Sequence, residues 1–442
     1  MGLKYIEQVK SVILLLLILL SLTLTFTIWT YSPSYNMNET PVVDIAIAEK
    51  KRMEDVVKPY RLLLSQEESL SGSENTQMIE DVLNSMKNWE IQTVELLNNQ
   101  ASDQQINEYT KKPNRMTFFF PAEVPFKIYD NILNFTDYSL PNASFDRLIV
   151  EWSESPSEKM NLYFISTITQ KVYTANIGNA NQETFIKRLK KQTIDLPVYN
   201  EIERVNRLSL YVTTSPKIMS SYSYIVEEIA PEKFKNALFT TPSLVRSNPL
   251  GTSGQEYTDD SALMNVDFIF KRLSYVHPAS ESDQVGKSDE LIQQSLNFVN
   301  EHNGWTDDYR YSRINFSTKQ VSYQLYFLGM PVFSKDTATE IIQYWGTNRV
   351  YRYIRPYYTL DVSTPAKKRD VQLQSGQNIY DLIYSLSDKK VSSIDDIAIG
   401  YNLSQDDQEK VLNLEPSWYY LANGSWIRVT PELLGGGKFG LE

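Results

Sequence analysis

The sequence predicts a multi-domain α+β protein, with helices packed on antiparallel sheets and one transmembrane helix in front of them. Three observations carry this expectation. An unbroken apolar run fills residues 12–29. Beyond it, strand-like alternation and a few amphipathic helical stretches succeed one another without a βαβ rhythm and without a repeat of about 20–50 residues. Finally, 42% hydrophobic and 12% aromatic residues in a chain of 442 are the composition of folded domains. At roughly 100–200 residues each, that length makes two to four of them.

The first element runs from Val12 to Trp29 as VILLLLILLSLTLTFTIW, without a charge. It is long enough to span a bilayer and longer than the roughly 7–15-residue apolar region of a cleaved signal. No small-x-small cleavage pattern follows it. Trp29 and Tyr31 stand where interfacial aromatics belong, and Pro33 suits a helix end. Lys4 and Lys10 precede the run, whereas the next basic residue is Lys50. The positive-inside rule therefore puts the N-terminus in the cytoplasm and residues 32–442 outside. Residues 1–31 are expected to be a cytoplasmic stub and uncleaved anchor in the cell membrane, crossed once, with the lipid bilayer as partner through residues 12–29. Ser21, Thr23, Thr25, Thr27 and Thr30 put hydroxyls in its outer half, with Ser21/Thr25 and Thr23/Thr27 at i, i+4. That spacing suits close approach of a partner helix. It equally suits a plain anchor whose hydroxyls bond their own i−4 carbonyls.

Three outer units follow. Residues 32–204 open with a polar tether (32–48) and a strand at Tyr60–Ser65. A helix starts at Ser73–Thr76 with Ile79, Val82, Leu83 and Met86 on one stripe. A strand is expected at Glu90–Leu97 and a short β-rich run at Met116–Phe120, followed by hairpin-like material at Arg147–Trp152 and Asn161–Thr174. A helix at Gln182–Lys191, burying Phe185, Ile186 and Leu189, closes the unit. Residues 205–281 read as a small β-rich unit, with strands at Leu208–Thr213, Tyr222–Ile229 and Asp267–Tyr275 and a helix at Pro231–Leu238. There Ser247–Asp260 reads as a loop, and His277–Lys287 as a polar boundary. Residues 282–442 begin with a helix at Asp289–His302, stopped by Asn303-Gly304. Strands Tyr309–Phe316, Gln320–Phe327, Ala338–Trp345 and Val350–Leu360 follow, then a helix near Asn378–Leu386. Trp418–Leu421 and Trp426–Val429 flank Asn423-Gly424, a type I′ hairpin signal.

The chemistry such a chain can perform is narrow. With no cysteine and only His277 and His302, disulfides, thiolate sites and multi-histidine metal centres are excluded. The net charge of −11 makes nucleic acid a poor partner. Residues 1–31 balance at +1, which leaves −12 outside. His277 sits beside Pro278 in the boundary segment, and His302 ends a helix, where the dipole suits a cationic or capping imidazole. Both read as structural. Ser387-Asp388-Lys389-Lys390 matches S-x-x-K without the companion motifs of the penicillin-binding serine enzymes. Gly435-Gly436-Gly437-Lys438 lacks the strand-loop-helix setting of a phosphate loop. Glu151 and Glu154 around Trp152 form a mildly carbohydrate-like cluster, and solvated charge around a hairpin tryptophan is the plainer account. Of twenty-nine tyrosines, Tyr351 and Tyr353 alternate with Arg349, Arg352 and Arg355. That strand is either a recognition face or a half-buried sheet with stacked guanidinium groups. No catalytic constellation and no cofactor is expected. The rivals to a contact-making protein are a wall-active hydrolase and a passive ligand-binding module.

Several blocks in order also resemble the YycH family of Gram-positive bacteria. They are Lys10-Ser11-Val12-Ile13 with Ile28-Trp29-Thr30-Tyr31-Ser32-Pro33, then His302-Asn303-Gly304-Trp305, and Tyr326-Phe327-Leu328-Gly329-Met330-Pro331-Val332-Phe333. Ile397-Ala398-Ile399-Gly400-Tyr401 and Pro416-x-Trp418-Tyr419 with Gly424-x-Trp426 complete them. The likeness covers the whole chain and is greatest to the Bacillus form. It implies a bitopic, non-enzymatic regulator with a three-domain outer part. The expected partners are the anchored protein YycI and the sensor histidine kinase WalK (YycG), which controls cell-wall metabolism. Contact with the kinase is implied largely through the membrane helix, which favours a partner-facing role for Ser21, Thr23, Thr25, Thr27 and Thr30.

Overall fold

The computed structural model describes residues 13–25, 48–67, 69–136, 139–153, 155, 159–280, 288–346, 349–360, 367–386, 394–406 and 411–430. The chain divides into two compact units, 1–44 and 45–442. In the first, residues 13–25 are helical. Among the described residues no helix is long and apolar enough to cross a membrane.

In the second unit, seven strands make one antiparallel sheet: β1 (Arg61–Ser65), β2 (Leu70–Ser73), β3 (Glu90–Asn98), β4 (Arg115–Pro125), β5 (Ser144–Glu151), β6 (Asn161–Ser166) and β7 (Lys171–Gly178). Their order is β2-β1-β4-β5-β6-β7-β3. Two helices cover it where the apolar stripes demand. Thr76–Met86 buries Ile79, Val82, Leu83 and Met86, and the Asn75 side chain accepts the Met78 N–H at its start. Gln182–Gln192 buries Phe185 and Leu189, with Phe185 edge-on to Trp89 at 4.9 Å; Ile186 is only partly buried. A third helix, Asp103–Lys111, is too polar for apolar periodicity to announce. It buries Ile106 and Thr110 and opens on a capping box of Ser102 and Gln105.

Residues 205–281 and 282–442 contribute strands to one larger sheet of fourteen strands. From the middle stretch come β10 (Lys217–Ile225), β12 (Arg246–Pro249), β13 (Gly254–Thr258), β14 (Leu263–Asp267) and β15 (Arg272–Val276). From the last stretch come β16 (Asp308–Asn315), β17 (Gln320–Phe327), β18 (Met330–Phe333), β19 (Glu340–Trp345), β20 (Val350–Pro356), β22 (Lys367–Leu373), β23 (Ile394–Asp406), β24 (Val411–Ala422) and β25 (Ser425–Arg428). The short β8 (Tyr199–Ile202) and β9 (Leu210–Thr213) pair with each other, as do β11 (Glu227–Glu228) and β21 (Tyr358–Thr359). The main path is β12-β13-β14-β15-β20-β19-β17-β18-β23-β24-β10-β22. Its one parallel ladder among the described strands joins β18 to β23, with Val332 opposite Tyr401.

Two expectations are corrected here. Asp267–Tyr275 is a hairpin, not one strand: the Asp267 carboxylate accepts the N–H groups of Ile269 and Phe270, each at 3.0 Å, and Lys271 turns the chain at φ 47°. Apolar residues at 268–270 hide that turn from pattern reading. Ser247–Asp260 is not a loop but mostly β12 and β13 around Gly251, whose φ is 62°. Backbone pairing does not require apolar side chains.

The helices Ser288–Glu301 and Gly376–Leu386 fall where the stripes place them. Asn303 takes φ 49° and Gly304 N–H bonds back to Val299 O at 2.8 Å, closing the first of them. The Asn423-Gly424 turn has positive φ at both residues, as type I′ requires. One apolar core runs from Leu62 and Phe118 in the first sheet through Tyr309 and Val321 to Leu414 in the second. A smaller core under Gly376–Leu386 holds Ile379, Ile383, Ile397, Ile399 and Trp418.

Candidate interaction sites

The hydroxyls of the N-terminal helix engage their own backbone. Thr23 Oγ1 donates to Leu19 O at 3.0 Å and Leu20 O at 2.9 Å, and Thr25 Oγ1 donates to Ser21 O at 2.8 Å. A hydroxyl has one proton and two lone pairs, so these threonines remain acceptors toward a neighbour but not donors. Thr27 and Thr30 lie outside the described residues. The described stretch rises about 20 Å, against a hydrocarbon core of about 30 Å.

Glu151 is occupied. Arg115 Nε donates to Glu151 Oε1 at 2.8 Å, Tyr163 OH to Oε2 at 2.8 Å, and Asn161 Nδ2 to Oε2 at 3.3 Å. The guanidinium sits beside the paired rings of Tyr109 and Tyr163, 5.2 and 5.0 Å from their centroids, which are 5.3 Å apart. Burial opposes ionisation of Glu151, but the hydrogen bonds from Arg115 and Tyr163 outweigh it and hold the carboxyl below its ordinary pKa. A carboxylate held ionised is the wrong form for a general acid. Glu154 lies outside the described residues, as do Ser387–Lys390 and Gly435–Lys438. Trp152 is buried at the wall of a cleft of about 480 Å³, with Leu64, Gln182, Ile186, Lys187 and Lys190.

The histidines are structural in detail. His277 Nδ1 meets Ser280 Oγ at 2.8 Å. His302 is buried, 3.3 Å from Tyr353 OH and against the Phe298 ring. Burial, reinforced by the Arg355 guanidinium, pushes its pKa down to about 3. The cationic reading from the helix dipole therefore gives way to desolvation. The tyrosine–arginine strand β20 faces inward at alternate positions. Tyr353 and Arg355 are fully buried, and Arg355 donates to Gly304 O at 2.6 Å and Thr306 Oγ1 at 3.0 Å over the Phe234 ring. Arg352 points outward, 5.7 Å from the Tyr344 ring. Those inward alternate positions belong to the core.

A charged junction that no short motif signals ties the two sheets. Arg61, wholly buried on β1, donates to Asp396 Oδ1 at 2.9 Å, Ile397 O at 2.8 Å and Glu74 Oε1 at 3.2 Å. Tyr60 OH completes Asp396 at 2.7 Å. Nearby joins are Arg310 to Thr76 Oγ1 at 2.9 Å and Tyr311 OH to Glu123 O at 2.8 Å. Partners 335 residues apart carry no local spacing by which sequence alone could pair them.

Three of the blocks that carried the sequence resemblance, 326–333, 397–401 and 416–426, meet in space. Val332 and Phe333 of β18 pair with Tyr401 and Asn402 of β23, Ile399 faces Trp418 across β23 and β24, and the Phe333 ring sits 4.5 Å from Tyr419 and 5.7 Å from Trp426. Gly400 permits the approach: a Cβ there would lie 2.8 Å from Pro331 O. Trp305 packs on Tyr323 at 5.0 Å.

The family models for the YycH protein match twice, the N-terminal domain over residues 7–193 and the C-terminal domain over 207–434. The Two-component system WalR/WalK regulatory protein YycH of Bacillus subtilis (strain 168) is 21% identical over 445 residues, covering 97% of each chain. The crystal structure of YycH from Bacillus subtilis superposes with a TM-score of 0.74 at 20% identity, over 87% of this chain and 99% of that one.

Proposed function

From the premise that the chain belongs to the YycH family, we propose that it is a membrane-anchored, extracytoplasmic regulator of a WalR/WalK-type two-component system. In this reading it binds and restrains the sensor histidine kinase WalK (YycG) together with a YycI-like anchored protein, and so affects cell-wall homeostasis. The observation that carries the reading is the pair of family models, which together span nearly the whole chain, beside a full-length relative named as a regulator of that system. The residue chemistry supports it, because Glu151 and both histidines are committed to structural partners.

A regulator shifts a kinase only if it binds the kinase's two states unequally. Residues 12–29 are the element that meets the kinase's own membrane helices. Since Thr23 and Thr25 spend their protons on their own backbone, the contact is close packing plus acceptance of a partner's hydrogen bond. Replacing Ser21, Thr23, Thr25 and Thr27 with Leu keeps the segment apolar and is expected to weaken co-purification with the kinase and raise output from a kinase-dependent reporter. Unchanged co-purification and output would sink the helix-face reading. A pull-down of the full chain with and without residues 1–31 tests the anchor as a whole.

A further inference from the structure

The turn between β14 and β15 exposes three consecutive large apolar residues: Phe268, Ile269 and Phe270 are 37%, 61% and 43% exposed. Three exposed apolar neighbours in a row are costly in water unless they serve a contact. The turn is also built to hold them outward. Asp267 Oδ1 accepts the N–H groups of Ile269 and Phe270, Ala338 N–H bonds Phe270 O at 3.0 Å, and Arg272 lies 5.7 Å from the Phe270 ring. Phe268 N–H bonds Ser253 O at 2.9 Å, which brings the β12–β13 turn and its exposed Leu250 alongside.

The position of this tip in the second unit bears on what it could meet. Arg272 pairs with Pro356, and Tyr357 N–H bonds Lys271 O, so the tip meets β20 at its Pro356 end. The chain enters the unit at that same end. Ala48 N–H bonds Asn303 O, Lys51 Nζ donates to Asp307 O at 2.9 Å, and Gly304 and Thr306 hold Arg355. Eighteen residues separate Trp29 from Ala48. Fully extended, that length reaches at most ~65 Å, comparable with the ~55 Å breadth of a globule of this size. In the anchor reading of residues 12–29, chain length alone limits how far the entry point at Ala48 can stand from the bilayer.

We propose that the Phe268–Phe270 turn, with Leu250, is a bilayer-surface contact that seats its aromatic and aliphatic side chains in the interface of the membrane carrying the anchor. Phe and Ile side chains gain from leaving water for the headgroup–acyl boundary, and Arg272 beside them suits the phosphate layer. The acidic remainder of the unit is repelled by an anionic leaflet. Only a short apolar tip therefore touches it, and the tether's effective concentration makes a weak contact sufficient.

The proposal rests on reading residues 12–29 as a membrane anchor, and the test separates the two. The chain has no cysteine, so Ile269→Cys and, in the β6–β7 turn, Ile168→Cys each carry one environment-sensitive fluorophore in the full-length protein. Both are reconstituted in vesicles of phosphatidylcholine and phosphatidylglycerol. The expected result is blue-shifted emission at position 269, quenched several-fold more by spin-labelled acyl chains than at position 168. Equal, water-like emission at both positions in chain that floats with the vesicles after an alkaline wash overturns the turn contact alone. Chain that fails to float overturns the anchor and the contact with it. A label at 269 that is aqueous in these vesicles but shielded in native membranes assigns the tip to a protein partner and likewise overturns the bilayer contact.

Discussion

Around the buried Arg355, two side chains have their proton affinities displaced in opposite directions. His302 is pushed down to about 3 by burial and by Arg355. Asp307 is pushed up to about 7 by burial, against the Leu360 N–H at 2.9 Å, Thr359 and Arg355; its Oδ2 has no hydrogen-bond partner. The histidine's folded pKa lies below its unfolded one, so its contribution is complete above pH ~6.5 and lost as pH falls toward 3. The aspartate's folded pKa lies above its unfolded one, so its contribution is complete below pH ~4 and lost as pH rises to about 7. Asp307→Asn keeps an acceptor for Leu360 and cannot ionise. It is expected to raise the Tm at pH 8, by roughly 1–2 kcal/mol of added stability, and to change little at pH 4 and below. His302→Gln is expected to shrink the loss of Tm between pH 6.5 and 4. Thermal melts across pH check both, and curves parallel to the unsubstituted protein would refute the assignment. Sequence placed His302 at a helix end but missed that this end is buried, because burial is decided by β20 fifty residues later. Asp307 drew no notice at all, since an aspartate after a helix is ordinary until its surroundings are known.

Elements were legible where one face is buried and illegible where pairing alone decides. Ile79, Val82, Leu83 and Met86 recur with the helical period because one side of that helix meets the sheet, and all four are buried. Asn423-Gly424 was legible because two positive φ angles restrict the residues that fit. In contrast β12 is exposed along its length and β13 is half polar, so neither has a pattern to read; hydrogen bonds of β12 to β13 and of β13 to β14 hold them. Gly254 gives that pairing a handle. A Cβ there would lie 2.3 Å from Val266 O, a backbone atom that cannot swing aside, whereas Gly251 faces open space and demands only φ 62°. Gly254→Val is therefore expected to cost roughly 1–3 kcal/mol, and Gly251→Ala about 1 kcal/mol. Urea unfolding with an unchanged m-value would rank them, and the reverse order would refute the strand assignment of 246–258.

At the scale of the molecule, sequence located the apolar run, the acidic balance of the residues after it and the α+β class, all of which are sums or local periodicities. The coupling between halves is neither. The two family regions meet near residue 200, where a linker between independent domains would be expected, yet one core and the Arg61 junction cross from one to the other. Arg61 compensates two carboxylates, Glu74 on its own side and Asp396 on the other, and its guanidinium also satisfies Ile397 O. Removing it leaves Asp396 with Tyr60 but without a cation in a site from which water is excluded, a loss of roughly 3–5 kcal/mol. Because that loss falls on contacts shared by both halves, it should weaken their coupling as well as their sum. The intact protein is expected to unfold in a single calorimetric transition from residue 48 onward, with van't Hoff and calorimetric enthalpies equal. Arg61→Ala should lower that transition and broaden or split it. Two separate transitions in the unsubstituted protein would show that the halves fold independently and that the Arg61 junction does not couple them.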